Sequence, residues 1–151
     1  MALKRVLVAV EDDYFCREIA DYLKQHNWSE DVQFLVMHAV RPARVFEDSQ
    51  ATSKKLTEIA EKYGDKLVNH VAKLIRKTIE PCVVETRVVK GKPKNEIINT
   101  ARDWKADLII LGAHGHEKED TFRIGSISAM VSTYAPCSVL IVRWRHGQKK
   151  E

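Results

Sequence analysis

The sequence predicts an α/β protein, a single domain built on a five-stranded parallel sheet with helices on both faces. Short apolar runs alternate with longer stretches of helical spacing, giving the order β-α-β-α-β-α-β-α-β, and that alternation implies a parallel sheet. The run Val6–Val10 is continuously apolar and reads as a strand covered on both faces, Val32–Val40 is a second strand rich in apolar residues, and Ser138–Val142 is a short apolar edge strand. A length of 151 residues suits one domain with a substantial core.

Each element has its own justification. Val6–Val10 is the first strand, and Asp12 and Asp13 behind it are candidate N-caps. Cys16, Ile19, Ala20 and Leu23 then recur at i, i+3, i+4 and i+7, an amphipathic helix. Val32–Val40 is the second strand, and residues 41–50, with Pro42, read as a loop. Leu56, Ile59, Ala60, Tyr63, Leu67, Val71 and Leu74 mark one long helical face that ends before Pro81, with Gly64 a position for a bend. Cys82–Val89 is the third strand, Gly91 breaks it, and Pro93 suits the first turn of a helix whose buried face is Ile97, Ile98, Ala101 and Trp104. Asp107–Leu111 is the fourth strand. Ile127, Met130, Val131 and Tyr134 place a last helix over 126–134, stopped near Pro136, before the fifth strand Ser138–Val142.

Between the fourth strand and the last helix lies the pattern G-x2-G-x9-G-S, formed by Gly112, Gly115, Gly125 and Ser126. Backbone that approaches phosphate oxygens closely has no room for a Cβ, so glycine suits it. A helix opening at Ser126 aims amide groups and the positive end of its dipole at an anion. Phosphate binding is the functional reading of these residues; turn geometry with Ser126 as a cap is the structural one. Open parallel sheets bind ligands beyond the carboxyl ends of their strands. Two loops leave such ends with suitable chemistry: Glu11-Asp12-Asp13 and 112–126.

Composition narrows the alternatives. Of the net charge of +4, most sits in residues 143–151, where Arg143, Arg145, Lys149 and Lys150 face only Glu151. The body is nearly neutral, which argues against an extended nucleic-acid face. The tail 146–151 reads as a solvated end to a domain spanning 1–145. No apolar run reaches the ~20 residues that span a bilayer, and the N-terminus lacks a secretory pattern, so a cytoplasmic location and no membrane partner are expected. Cys16, Cys82 and Cys137 are too widely spaced for a zinc site or disulfide framework. His114-x-His116 lacks a third distant ligand, so no metal site is expected; His38, within an apolar strand, reads as a hydrogen-bonded core residue.

Four blocks in order make the chain resemble the universal stress protein family over nearly its whole length: Val8-Ala9-Val10-Glu11, Gly91-Lys92-Pro93, Ala106–Gly115, and Gly125-Ser126-Ile127 with Ala135–Arg143. The resemblance implies a Rossmann-like, adenine-nucleotide-binding sheet of order 3-2-1-4-5. It implies ATP binding through Gly112, Gly115, Gly125 and Ser126. It also implies that backbone of Ala39 or Val40 meets adenine, that Glu11 reaches the ribose and that His114 lies near phosphate or ribose. Val10 and Ile127 complete the nucleotide-binding set. A homodimer through Val139–Val142 is implied as well. Two departures stand out. Glu11 is one methylene longer than the Asp usual in relatives, and the loop after Gly115 carries Glu117, Glu119 and Asp120. Those acids either repel phosphates, turn away, or hold Mg²⁺ on them.

The resulting expectation is a small cytoplasmic ATP-binding protein of the stress response, a ligand-dependent switch without robust turnover. It carries neither a G-x4-G-K-[ST] lysine nor a base aimed at a γ-phosphate. The alternatives are a nucleotide-free dimeric interaction module and a slow ATPase.

Overall fold

Branched and apolar residues run together in five places, and the computed structural model, which describes residues 3–43, 50–114 and 123–143, forms a strand at each: β1 (Arg5–Ala9), β2 (Gln33–Val40), β3 (Val83–Lys90), β4 (Leu108–Gly112) and β5 (Ser138–Val142). Between them lie α1 (Cys16–Lys24), α2 (Gln50–Thr78), α3 (Pro93–Asp103) and α4 (Ser126–Tyr134). Gly115, the acidic stretch 116–120 and the basic tail fall outside the described residues. Every strand pairing is parallel and the order is β3-β2-β1-β4-β5.

Alternation along the central strands builds two apolar layers. Val6 and Val8 of β1 and Ile110 of β4 face α1 and α2, where Ile19, Leu23, Val71 and Ile75 cover them. Leu7, Ala9, Ile109 and Leu111 face α3 and α4, where Ile97, Ala101, Ile127 and Val131 cover them. Side chains of this size each contribute about 1.5–3 kcal/mol when fully buried. Both faces of β1 and β4 are therefore closed, as their unbroken apolar runs require.

Three local expectations need correction. Phe15, rather than Asp12 or Asp13, holds the N-cap position of α1. Asp12 instead makes a turn upstream, its Oδ1 accepting the Tyr14 N–H at 2.9 Å. Gly125, not Ser126, is the N-cap of α4, and Ser126 is the first helical residue. On α4 the buried positions are Ile127, Ser128 and Val131, whereas Met130 and Tyr134 are exposed.

The long face expected of α2 is only half buried. The helix has 29 residues, whereas β2 has 8. At ~1.5 Å and ~3.3 Å per residue these span roughly 43 and 26 Å, so a good part of the helix outruns the sheet. Burial begins at Gly64, and Leu56, Ile59 and Tyr63 are exposed. Gly64 marks the closest approach rather than a bend in the pattern: a Cβ there would lie 2.7 Å from His38 Cδ2 and 3.2 Å from Val88 Cγ1.

At the amino end of the sheet, Asp107 ties β4 to β1. Its Oδ2 accepts the N–H groups of Lys4 and Arg5 at 3.0 and 2.9 Å, and its own N–H donates to Arg5 O at 2.8 Å. Arg5 Nη1 donates to Trp104 O at 3.0 Å.

Candidate functional site

The connection from β1 crosses to α1 on one face and the chain reaches β4 from the other, so the strand order reverses between β1 and β4. Crevices open at such switch points. Pairing of β1 with β2 ends at Ala9 and Met37, whereas β2 continues beside β3 to Val40 and Lys90. Beyond Ala9, Val10 N–H donates to Met37 O at 2.9 Å. The end of β2 thus overhangs β1, and a cleft occupies the gap.

Among the described residues its floor includes Ala9, Val10 and Leu111, and its walls include Met37, Ala39 and Ile97. Glu11 and Asp12 stand on one side, and Gly112, His114, Ile127 and Ser128 on the other. The cleft, open mouth included, has a volume of about 560 Å³.

His38 fixes the β1 exit. Its Nδ1 lies 2.7 Å from Val10 O, the hydrogen-bonded role expected for it. Tyr63 of α2 lies across the ring at a centroid distance of 6.1 Å. Burial, then the carboxylates of Asp13 and Asp12, push the Tyr63 phenol above its ordinary pKa.

The glycines have reasons within the protein itself. A Cβ on Gly112 would lie 2.4 Å from Phe15 Cδ2, because the phenyl ring packs directly on the strand end. Phe15 meets Tyr14 and His114 edge-on at 4.9 and 5.2 Å, and all three are buried. Ser128 Oγ donates to Gly112 O at 2.7 Å, joining α4 to the end of β4. Gly125 N–H donates to Ala113 O at 2.7 Å, and a Cβ there would sit 3.3 Å from His114 Cα. The two ends of the loop therefore touch. The first i→i−4 bond of α4 runs from Ala129 to Gly125, so the amides of Ser126, Ile127 and Ser128 precede it at the helix's positive end.

Of the sequence-derived set, Val10, Glu11, Ala39, Gly112, His114 and Ile127 line the cleft together. Val40, Gly125 and Ser126 do not line it, and Val40 O is turned to β3, accepting Gly91 N–H at 2.9 Å. Gly115 lies outside the described residues. Phe15, Met37, Ile97 and Ser128 line the cleft but escaped the motif reading. The signal for Ser128 was its place three residues before Val131, on the buried face. Phe15 carried the signal of an aromatic beside a cap position, opposite a glycine in space but not in sequence. No cluster of three or more metal-ligating side chains occurs among the described residues.

Fold and cleft define a class, the doubly wound parallel α/β domains, here with a crevice at the topological switch point. The family is narrower: the universal stress protein family model matches residues 2–143, and the chain belongs to that family. It is 31% identical over 97 residues to the universal stress protein MJ0531 of Methanocaldococcus jannaschii, covering 64% of this chain and 47% of that one. It is 26% identical over 141 residues to the family protein SAUSA300_1656 of Staphylococcus aureus, covering 93% and 84%. The fold matches the universal stress protein UspA of Lactobacillus plantarum with a TM-score of 0.79 at 21% identity, covering 95% and 99%. Two other structures of this fold hold nucleotides. The universal stress protein of Archaeoglobus fulgidus in complex with dAMP matches at TM-score 0.59 and 20% identity, covering 95% and 100%. An Arabidopsis thaliana family protein with AMP bound matches at 0.61 and 17%, covering 95% and 93%.

Proposed function

We propose that this protein binds an adenine nucleotide in the cleft between the ends of β1 and β4 and acts as a ligand-dependent binding module. The observation that carries the reading is the overlap in one crevice of apolar walls, a carboxylate rim and the opening turn of α4. Met37, Ala39 and Ile97 suit a base; Glu11 suits ribose hydroxyls; the amides of α4 suit a phosphate. The dAMP and AMP complexes of family members support the same ligand class.

ATP, alone or with Mg²⁺, is the ligand the glycine pattern suggests, and binding without robust turnover is the proposed mode. A nucleotide switches the protein only by preferring one state of the loop after β4. We extend the proposal to a cytoplasmic homodimer through Val139–Val142, because β5 is an edge strand and its central residues are only half buried. The test is a denaturing release assay on protein purified without added nucleotide, paired with thermal shift. A ligand at 100 times its Kd adds about 2.7 kcal/mol of stability. No released adenine compound, and no shift with millimolar AMP or ATP, refutes the reading in favour of a nucleotide-free interaction module.

A further inference from the structure

The sheet ends on β3 at the side away from β5. Val83 N–H donates to Val32 O and Gly91 N–H to Val40 O, at 3.3 and 2.9 Å. Backbone groups alternate in direction along a strand. The odd-numbered residues of β3 therefore turn theirs to β2, and Val84, Thr86 and Val88 turn theirs outward. On that outer side the exposed Arg76 of α2 donates from Nη2 to Val84 O at 2.9 Å. Val83, Glu85, Thr86 and Arg87 are exposed, and Val84, Val88 and Val89 are only partly buried. The residue order along this edge is symmetric. In Val83-Val84-Glu85-Thr86-Arg87-Val88-Val89, valine answers valine and glutamate answers arginine about Thr86. Edges guarded against pairing carry charges that repel or obstruct a second strand. Here the charges are opposite in sign and equidistant from the centre, so they attract a second copy. Glu85 and Arg87 make no ion pair within the chain among the described residues.

We infer that β3 is a self-pairing edge, which a second copy of this chain joins antiparallel about a twofold axis at Thr86, fusing the two sheets into one. In this register the outward N–H and C=O of Thr86 exchange hydrogen bonds with Thr86 of the second copy, and Val84 does the same with Val88 of the second copy. Glu85 and Arg87 fall on the closer, non-hydrogen-bonded positions, with Cα atoms about 4.5 Å apart, each opposite its counter-charge. Val83 meets Val89 on the same face. The nearest registers that keep the backbone in phase set Arg87 against Arg87, or Glu85 against Glu85, and both repel. Backbone direction and side-chain order thus select the same pairing. Arg76 shares or releases the Val84 carbonyl, which has two lone pairs. The contact is isologous and uses the edge opposite β5, so it stands apart from the β5 pairing and from the nucleotide reading.

Sedimentation velocity of the full chain over a concentration series tests it. Expected is a rise in mass with concentration, through a step that Glu85→Arg and Arg87→Glu each weaken about tenfold or more, because like charges then face each other on both sides of the axis. An equimolar mixture of the two variants regains the step, since each residue at 85 again faces one of opposite sign at 87. Thr86→Pro removes it as well: the Thr86 N–H points away from β2, so proline costs the fold no ladder bond and blocks the added strand. Circular dichroism checks that each variant is folded. If β5 also pairs, the wild type grows beyond a dimer and the β3 variants stop at one; if it does not, the wild type dimerises and the variants are monomers. A wild-type mass that stays constant up to about 1 mM overturns the inference. So does a mass that neither charge reversal changes, or a mixture no more associated than its components.

Discussion

Gly112→Ala isolates one contact and allows its size to be worked from the structure. The new methyl carbon would lie 2.4, 2.8 and 2.9 Å from Cδ2, Cγ and Cβ of Phe15. Phe15 cannot simply rotate away, since it is 4% exposed and hemmed by Tyr14 and His114 at 4.9 and 5.2 Å. Nor can the strand retreat: Gly112 pairs with Val142 of β5, and its carbonyl accepts the Ser128 hydroxyl. Overpacking of this kind costs about 1–3 kcal/mol. In a chain of this size 2 kcal/mol lowers Tm by roughly 4–8 °C. Urea unfolding followed by circular dichroism measures the loss. Repeating Gly112→Ala in a Phe15→Leu background closes a double-mutant cycle, and residues in contact couple by about 0.5–3 kcal/mol. A cost under about 0.5 kcal/mol, or the same cost in both backgrounds, would show that Phe15 is not what demands glycine at this position. The companion substitution Gly125→Ala meets His114 Cα at 3.3 Å and should cost less, because a shift of a few tenths of an ångström relieves it.

Other expectations follow from single features. Asp107→Ala removes the acceptor of two backbone amides at the β1–β4 seam and should cost about 1–3 kcal/mol in urea unfolding, whereas Asp107→Asn, which keeps one oxygen, costs less. Gly91 has φ of +152°, so Gly91→Ala should lose about 1–3 kcal/mol from backbone strain even if the Glu96 side chain swings aside; an unchanged midpoint contradicts this. Burial raises the thiol pKa of Cys82 and Cys137 above the usual value, so iodoacetamide should alkylate both more slowly at neutral pH than it alkylates an unfolded chain, and faster as pH rises. Equal rates in native and unfolded protein would show that neither thiol is shielded.

Much of this fold is legible locally because burial on both faces leaves one reading for a run such as Val6–Val10. The last strand and α1 declare themselves in the same way, by composition and by spacing. The departures share a cause: each depends on what lies opposite in space. Periodicity marks Leu56, Ile59 and Tyr63 as apolar positions on one side of α2 but carries no measure of where β2 ends beneath them. Ser128 is polar in sequence and buried in the fold because Gly112 O awaits its hydroxyl. The Asp12 side chain finds the nearby Tyr14 amide before it finds a helix to cap. At the cleft, the glycine pattern locates the end of β4, but Phe15 reaches it from almost a hundred residues upstream.

The Asp107 clasp has a bearing on how the central pair of strands moves. With Lys4, Arg5 and Trp104 all fastened at the amino end, β1 and β4 behave as the arms of a clothes-peg sprung at one extremity. Any spreading that admits a guest is taken up at the free tips and fades toward the clasp. Amide exchange along β1 should therefore be graded, fastest at Val10 and slowest near Val6, so that the protein can yield at its rim while its foundation holds.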